Sequence, residues 1–233
     1  MTPRVVITGA SRGIGLEYAR QWLEAGARVF GLARDPAGSE GLMELAAAWP
    51  DALLPVTCDV ADDDSVAAAR ARVGETADGI EILVNNAGVM GSREEIENVD
   101  LDRVRRTFEV NALGPLRVTQ AFLDLVRAGD RPRIVNMTSL MGSIDDNRSG
   151  GAYAYRMSKA ALNMATRSLA IDLADEGVIA VVLHPGWVLT DMGGESARLT
   201  VTEAVSSLIR TIEALDADRS GGFYDRDGAP LPW

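Results

Sequence analysis

Short apolar runs rich in β-branched residues alternate with longer amphipathic stretches along this chain, and this alternation restricts the fold more than any other feature of the sequence. Apolar strands separated by helix-length segments are typical of a parallel sheet that helices cover on both faces. We therefore predict a doubly wound, mainly parallel α/β fold. The predicted strands are Arg4 to Ile7, Arg28 to Leu32, Leu53 to Thr57, Ile80 to Val84, Arg133 to Met137, Val178 to Leu183 and Phe223-Tyr224.

Length, composition and charge narrow the class of protein further. The chain has 233 residues, of which 47% are hydrophobic, so it can bury a substantial core. We expect one domain over residues 1–233. The formal net charge of -11 leaves no basic stripe to neutralise phosphates, so a nucleic-acid partner is not expected.

The sequence also bears on the compartment. Cys58 is the one cysteine, which excludes an internal disulfide and suits a reducing environment. No basic-then-apolar segment precedes the first predicted strand, and no apolar run approaches 18 residues. We therefore predict neither a signal peptide nor a membrane span, and we expect a cytoplasmic protein.

A glycine-rich segment directly follows the first predicted strand. Gly9, Gly13 and Gly15 have the spacing Gly-x3-Gly-x-Gly and open the amphipathic stretch Leu16 to Ala25. Glycines let the backbone approach a pyrophosphate, and the first N–H groups of a helix supply donors and a positive dipole end. The segment predicts a dinucleotide site in a Rossmann-type sheet. A turn that binds nothing is the alternative.

Tyr155 and Lys159 are four residues apart, so one helix would bring a phenol and an ammonium group onto the same face. A cation about 4 Å from the phenol, at an effective dielectric constant of about 20, contributes roughly 4 kcal/mol. The pair therefore predicts a tyrosine whose pKa is lowered toward neutrality and which exchanges protons at physiological pH. The alternative is an amphipathic surface pair without function.

Together, these segments resemble the short-chain dehydrogenase/reductase family, whose hallmark motifs are the Gly-x3-Gly-x-Gly turn and Tyr-x-x-x-Lys. Asn85-Asn86-Ala87-Gly88 is similar to a family segment that borders the coenzyme, and Pro185 to Thr190 is similar to one that closes over the nicotinamide. The resemblance implies that the catalytic residues are Asn111, Ser139, Tyr155 and Lys159, and it implies no metal. The residues that it assigns to the coenzyme are Gly9, Ser11, Arg12, Gly13, Ile14, Gly15, Arg34, Asp59, Val60, Asn86, Ala87, Gly88, Tyr155, Lys159, Pro185, Gly186, Val188 and Thr190.

A narrower resemblance, to the branch of C-factor (C-signal) proteins and sniffer-type carbonyl reductases, lies in Tyr155 to Asn163, His184 to Val188, Thr190 to Gly194, and Ser220 to Trp233. It implies an oxidoreductase that transfers hydride between NADP(H) and a carbonyl or alcohol, with Tyr155 as the general acid/base. Because one arm of the branch is known for signalling, a nucleotide-binding signalling protein whose turnover is incidental remains the alternative. The substrate would be a small molecule of unknown identity.

The choice of coenzyme depends on the end of the second predicted strand. A carboxylate there would accept from the ribose 2′-hydroxyl and select NAD(H), but Ala33 stands at that place. Arg34 follows it, and Arg12 offers a second guanidinium group for a 2′-phosphate. NADP(H) is therefore predicted over NAD(H). Asp35 could instead pair with Arg34 or face the ribose.

Several of these residues have structural alternatives. Asp59 could cap the helix that follows it, Ser139 could cap a loop, and Asn111 could be a buried amide that bends a helix. His184, the single histidine, is expected to be structural rather than catalytic. The polar stretch Gly142 to Gly151 is predicted to form a rim of the substrate site or, equally, a solvated loop.

The predicted helix Tyr155 to Ala174 carries two apolar stripes. Its first stripe faces the sheet in this interpretation, and its second would face another subunit, so we expect a homodimer or a higher homo-oligomer. The first stripe is Leu162, Ala165, Leu169 and Leu173, and the second is Ala160, Met164, Arg167 and Ile171.

Overall fold

The computed structural model describes residues 2–91 and 93–233, and within them seven strands form one parallel sheet. The strands are β1 (Arg4–Thr8), β2 (Arg28–Ala33), β3 (Leu53–Thr57), β4 (Ile82–Asn85), β5 (Arg133–Met137), β6 (Ile179–His184) and β7 (Phe223–Asp225). Their order is β3-β2-β1-β4-β5-β6-β7, and every neighbouring pair is parallel. The predicted doubly wound α/β sheet is confirmed.

Seven helices cover the two faces of this sheet within the described residues. They are α1 (Gly13–Glu24), α2 (Glu40–Ala48), α3 (Asp63–Gly74), α4 (Leu101–Phe108), α5 (Gly114–Arg127), α6 (Tyr153–Asp172) and α7 (Val201–Glu213). A short π-helical segment, Glu109–Leu113, joins α4 to α5. No helix in the described part of the chain is both long and apolar enough to cross a membrane.

Alternation along each strand divides the core into two layers. Ile7 and Leu183 face one side, where they pack in the same cluster as Trp22 of α1 and Leu208 of α7. The neighbouring strand positions face the other side, toward α3, α5 and α6, where Phe122 is fully buried. Burying one such side chain stabilises the fold by about 1.5–3 kcal/mol. Both layers therefore contribute to the stability of the sheet.

The strand boundaries differ from prediction by at most two residues. The largest difference is at β4, which was expected to start at Ile80 and starts at Ile82. The Ile80 N–H donates to the carbonyl of Leu125 on α5, at 2.9 Å, instead of to a neighbouring strand. Buried apolar character alone therefore placed the beginning of this strand too early.

The strand order places the functional edge of the sheet. β2 and β3 lie on one side of β1, whereas β4 to β7 lie on the other, so the direction of winding reverses between β1 and β4. Ligands of open α/β sheets bind outside the carboxyl ends of the strands at such a reversal. Thr8 ends β1 and Asn85 ends β4, so the segments that follow these residues form the candidate site.

Candidate active site

The turn between β1 and α1 has the backbone geometry of an anion cradle. Gly9 and Gly13 have φ values of 68° and 54°, which favour glycine. A Cβ atom at Gly15 would lie 2.2 Å from the carbonyl oxygen of Gly9, so no side chain fits there. Helix α1 begins at Gly13 without a side-chain cap from Arg12, which leaves its first N–H groups free to bind an anion.

The segment Asn86 to Gly88 fixes this turn from the β4 side. The hydroxyl oxygen of Thr8 accepts from the N–H groups of Asn86 and Ala87, both at 3.0 Å. The Asn86 amide donates in turn to the carbonyl oxygens of Thr8, at 3.0 Å, and Gly9, at 3.3 Å. Asn86 and Ala87 therefore border the cradle. Thr8 was not singled out from the sequence, although its place between a strand and Gly9 is the signal that could have identified it.

Tyr155 and Lys159 lie on the first turns of α6 and are both buried. The Lys159 Nζ donates to the carbonyl oxygen of Met137, at the end of β5, at 2.8 Å. It lies 5.8 Å from the centroid of the Tyr155 ring. Ser139 is half-buried and lies close enough to the Tyr155 side chain to lower the pKa of that phenol. The structure thus brings three of the four predicted catalytic side chains together at the carboxyl edge of the sheet.

The protonation of this pair differs from the prediction. Burial raises the pKa of Tyr155, and the nearby Ser139 hydroxyl opposes that rise only in part, so the pKa lies above its ordinary value. Burial also lowers the pKa of Lys159, to about 8. The expected lowering of the tyrosine pKa is therefore wrong for the protein alone. The physical reason is twofold. The Lys159 ammonium group donates its hydrogen bond to the Met137 carbonyl, and burial removes both the Lys159 and the Tyr155 side chains from water.

Asn111 is fully buried in the π-helical segment between α4 and α5. Its amide nitrogen donates to the carbonyl of Val89 at 2.8 Å and to the hydroxyl of Ser158 at 3.0 Å. Its amide oxygen accepts from the Val89 N–H at 2.8 Å. Pro115 stands four residues later and has no N–H to donate to the Asn111 carbonyl at α-helical spacing. The side chain is committed to these structural hydrogen bonds, while the main-chain carbonyl receives no N–H from the residue four positions later.

The end of β2 carries the residues predicted to choose the coenzyme. Ala33 is buried and Arg34 is exposed. The Asp35 carboxylate accepts from the Gly38 N–H at 3.0 Å, so it closes a local turn rather than pairing with Arg34. The side chains of Arg12 and Asp191 form an ion pair at 3.0 Å, and each is 77% exposed. A pair so exposed contributes at most about 1 kcal/mol, so a phosphate can displace the carboxylate.

The segment Asp59-Val60 follows β3. The Asp59 carboxylate accepts from the N–H of Ala61 at 3.0 Å, while Asp62 caps α3 by accepting from Ser65. The capping alternative for Asp59 is therefore wrong. Val60 is buried and lies against Gly114, where a Cβ atom would be 3.0 Å from a Val60 methyl group.

The segment Pro185 to Thr190 follows β6 and returns toward the glycine turn. Gly186 has a φ of 88°, and Val188 is buried where it bridges to Leu199. The methyl carbon of Thr190 is 3.6 Å from the position that a Cβ at Gly13 would take. The segment Pro185 to Thr190 therefore reaches the glycine turn at the carboxyl edge of the sheet.

His184, directly before this segment, is electrically neutral at physiological pH. Burial lowers the pKa of its imidazole to about 4 despite the nearby carboxylate of Asp225. Its Nδ1 has no hydrogen-bond partner among the described residues. This environment agrees with the structural role expected for it.

The family assignment follows from comparison with known proteins. The model of the short chain dehydrogenase family matches residues 3–199, so the chain belongs to that family. C-signal of Myxococcus xanthus is 51% identical over 154 residues, which are 66% of this chain and 93% of that protein. The predicted family and its narrower branch are confirmed.

Two solved structures are also similar over the whole chain. NADPH-bound carbonyl reductase from chicken fatty liver has 36% sequence identity and a TM-score of 0.94, with 100% of this chain and 99% of that chain covered. The carbonyl reductase Sniffer of Drosophila melanogaster has 33% identity and a TM-score of 0.95, with both chains covered completely.

Replacing Tyr155 by phenylalanine removes the hydroxyl group near Ser139 and keeps the buried aromatic ring. We expect Tyr155→Phe to lose more than about nine-tenths of the turnover, because the proton donor is gone, and to keep nearly unchanged coenzyme affinity. Tyr153→Phe is the matched control, since Tyr153 starts the same helix but is only half-buried. Steady-state rates and coenzyme titration measure both effects. A Tyr155→Phe enzyme with a tenth or more of wild-type turnover would contradict the assignment.

Proposed function

We propose that this protein is an NADP(H)-dependent carbonyl reductase that interconverts a small carbonyl compound and its alcohol. The observation that carries the proposal is the contact of Ser139 with Tyr155 and the burial of Lys159 beside them, next to a glycine cradle. The hydride-transfer function, the enzyme class and the coenzyme predicted from the sequence agree with the carbonyl reductase relatives, one of them solved with NADPH. When bound, NADPH supplies the hydride.

The chain's own groups would handle the proton and the substrate oxygen. Tyr155 has a raised pKa and stays protonated at neutral pH, so it can give its proton to the oxygen as negative charge develops there. The Ser139 hydroxyl would hold the same oxygen. Lys159, with a pKa of about 8, is placed to pass a proton on toward the tyrosine.

Two further groups complete this proposal. The main-chain carbonyl of Asn111 would hold the water molecule that supplies Lys159. A Cβ at Gly88 would lie 3.4 Å from the Asn111 amide oxygen and 3.7 Å from Lys159 Nζ, so the two residues border one small space. Glycine at position 88 keeps that space open for water.

The coenzyme would lie along the carboxyl edge from β2 to β6. The pyrophosphate would rest on Gly9, Ser11, Gly13, Ile14 and Gly15. The adenosine would lie near Arg12, Arg34, Asp59 and Val60, and the nicotinamide near Asn86 to Gly88, Tyr155, Lys159, Pro185, Gly186, Val188 and Thr190. Two features support this placement: there is no room for a Cβ atom at Gly15, and helix α1 starts without a side-chain cap.

A signalling role is the second candidate, because the C-signal protein is 51% identical over two thirds of this chain. A protein that only binds a nucleotide has no need of a buried proton donor, which favours the enzyme. We further propose that the protein acts in the cytoplasm, as its single buried cysteine suits a reducing compartment.

A substrate panel tests the proposed activity. We expect NADPH oxidation, followed by its absorbance, with at least some members of a set of ketones, aldehydes and quinones. The exposed side chains of Trp187, Leu189 and Met192 beside the site favour apolar carbonyl compounds. Tyr155→Phe serves as the catalytically dead control. Tight NADPH binding without turnover of any class would favour the signalling candidate.

The choice of coenzyme gives a separate prediction. Charge-assisted hydrogen bonds from Arg12 and Arg34 to a 2′-phosphate should favour NADPH over NADH by roughly ten- to a hundredfold in dissociation constant. Replacing Ala33 by Asp together with Arg34→Gln should reverse the order, because a carboxylate repels the phosphate and accepts from the ribose. Fluorescence titration of both coenzymes measures this. Equal affinities, or tighter NADH binding, in the wild type would show that Arg34 does not select NADPH over NADH.

We propose a homodimer through α6. Leu162 and Leu173 face the core, while Met164 and Ile171 of the second stripe are 68% and 63% exposed. Exposed aliphatic side chains two turns apart on a long helix favour contact with the same face of a second copy.

Replacing Ile171 by glutamate should separate the two subunits, because it would bury two like charges across a two-fold axis. The matched control is Met43→Glu, which alters an exposed apolar side chain on α2 instead. Light scattering at micromolar concentration measures the mass of each variant. A monomeric wild type would contradict the proposal.

A further inference from the structure

The segment Pro230 to Trp233 folds back along the edge of the sheet. The Leu231 N–H donates to the carbonyl of Phe223 in β7, at 2.8 Å. Pro230 forms an isolated antiparallel bridge with Tyr224. The ring of Trp233 lies against that of Phe223, with centroids 5.6 Å apart. This segment, called the tail below, is therefore held against β7 by both main-chain and side-chain contacts.

The main-chain oxygen of Trp233 accepts three hydrogen bonds from one short loop. The N–H groups of Ile144 and Asp145 donate to it at 2.6 Å and 3.0 Å. The hydroxyl of Ser143 donates at 3.0 Å and accepts from the Asp146 N–H at 3.0 Å. Ser143 is 2% exposed, so this contact is sheltered from water. The tail thus holds three consecutive residues of the loop directly, Ser143 to Asp145, and it holds Asp146 through Ser143.

This loop continues directly from the candidate catalytic serine. Ser139 caps the 3-10 turn Leu140–Gly142 by accepting from the Met141 N–H at 3.1 Å. Gly142 rests on α6, where a Cβ atom would lie 2.8 Å from the Cβ of Lys159. The turn is therefore held by α6 on one side and, one residue later, by the tail. From Ile144 to Gly150 the loop is exposed.

We propose that Trp233 is a positioning residue for carbonyl substrates: it fixes the loop Ser143 to Asp146, which forms a wall of the substrate site, and through that loop it fixes Ser139. The inference rests on the proposed function and extends it to a segment remote in sequence from every predicted site residue. Trp233 would touch neither the coenzyme nor the reacting atoms, so its effect should fall on how the loop and Ser139 hold the substrate.

Two substitutions test this inference, with a conservative variant as control. Trp233→Ala removes the ring that anchors the tail to Phe223, and Ser143→Ala removes one donor to the Trp233 oxygen. We expect each to raise KM for the carbonyl substrate by about tenfold, since a small displacement of positioned groups is costly. The dissociation constant for NADPH should change less than about twofold. Trp233→Phe keeps a ring and should restore most of the KM.

Limited trypsin digestion gives a readout that does not depend on activity. Arg148 lies in the exposed part of the same loop, so cleavage there should be faster in Trp233→Ala and Ser143→Ala than in the wild type or Trp233→Phe. An unchanged KM in Trp233→Ala and Ser143→Ala would overturn the inference, and so would unchanged cleavage. An equal loss of coenzyme affinity would overturn it as well, because it indicates general unfolding. If the wild type reduces no carbonyl compound, the proposed function fails, while the cleavage rates still decide whether the tail holds the loop.

Discussion

The buried ammonium group of Lys159 is the constraint on which the carboxyl edge of this sheet depends. An isolated charge in the interior is costly, and burial accordingly lowers the pKa of this group to about 8. The Met137 carbonyl compensates with one hydrogen bond at 2.8 Å. The Lys159 Nζ also lies beside Gly88, 3.7 Å from the position that a Cβ atom there would take. The same desolvation that destabilises the charge makes Lys159 able to release a proton near neutral pH.

Buried polar side chains around Lys159 hold helix α6 against the ends of the strands. Asn85 donates to Asn136 at 2.8 Å, and Asn136 donates to Thr166 of α6 at 2.8 Å, so a buried chain of hydrogen bonds joins β4, β5 and α6. Thr138 donates to Asn163 one turn before Thr166, at 2.7 Å. Buried networks of this kind allow few alternative arrangements, because any shift leaves a polar group unpaired. Helix α6 is therefore held in register with the strand ends.

Much of this architecture could be predicted from the sequence because local patterns determine it. Leu53–Thr57 and Arg133–Met137 were predicted with their observed bounds, since each is a short apolar run flanked by turn-forming residues. The turn at Gly9 to Gly15 and the pairing of Tyr155 with Lys159 were also accessible, because each lies within one loop or one helix. Resemblance to the family supplied Ser139 and Asn111, which no local pattern connects to Tyr155.

What the sequence could not give depends on contacts between distant segments. The raised pKa of Tyr155 arises from burial by the whole fold, so a calculation from helical spacing alone predicted the wrong direction. The π-helical segment around Asn111 depends on Val89 and Ser158, 22 and 47 residues away. The hold of Trp233 on Ser143 joins residues 90 apart. Because these contacts join residues far apart in sequence, local motifs identified the catalytic side chains but not the residues that surround them.

Electrostatics link the coenzyme site to the rest of this acidic protein. With a net charge of -11, the chain repels a multiply charged coenzyme at long range, so attraction must come from local groups. In the proposed site, the uncapped N-terminus of α1 would provide one such group and Arg34 another. Arg12 is paired with Asp191, and this exposed pair can exchange its carboxylate for a phosphate at little cost.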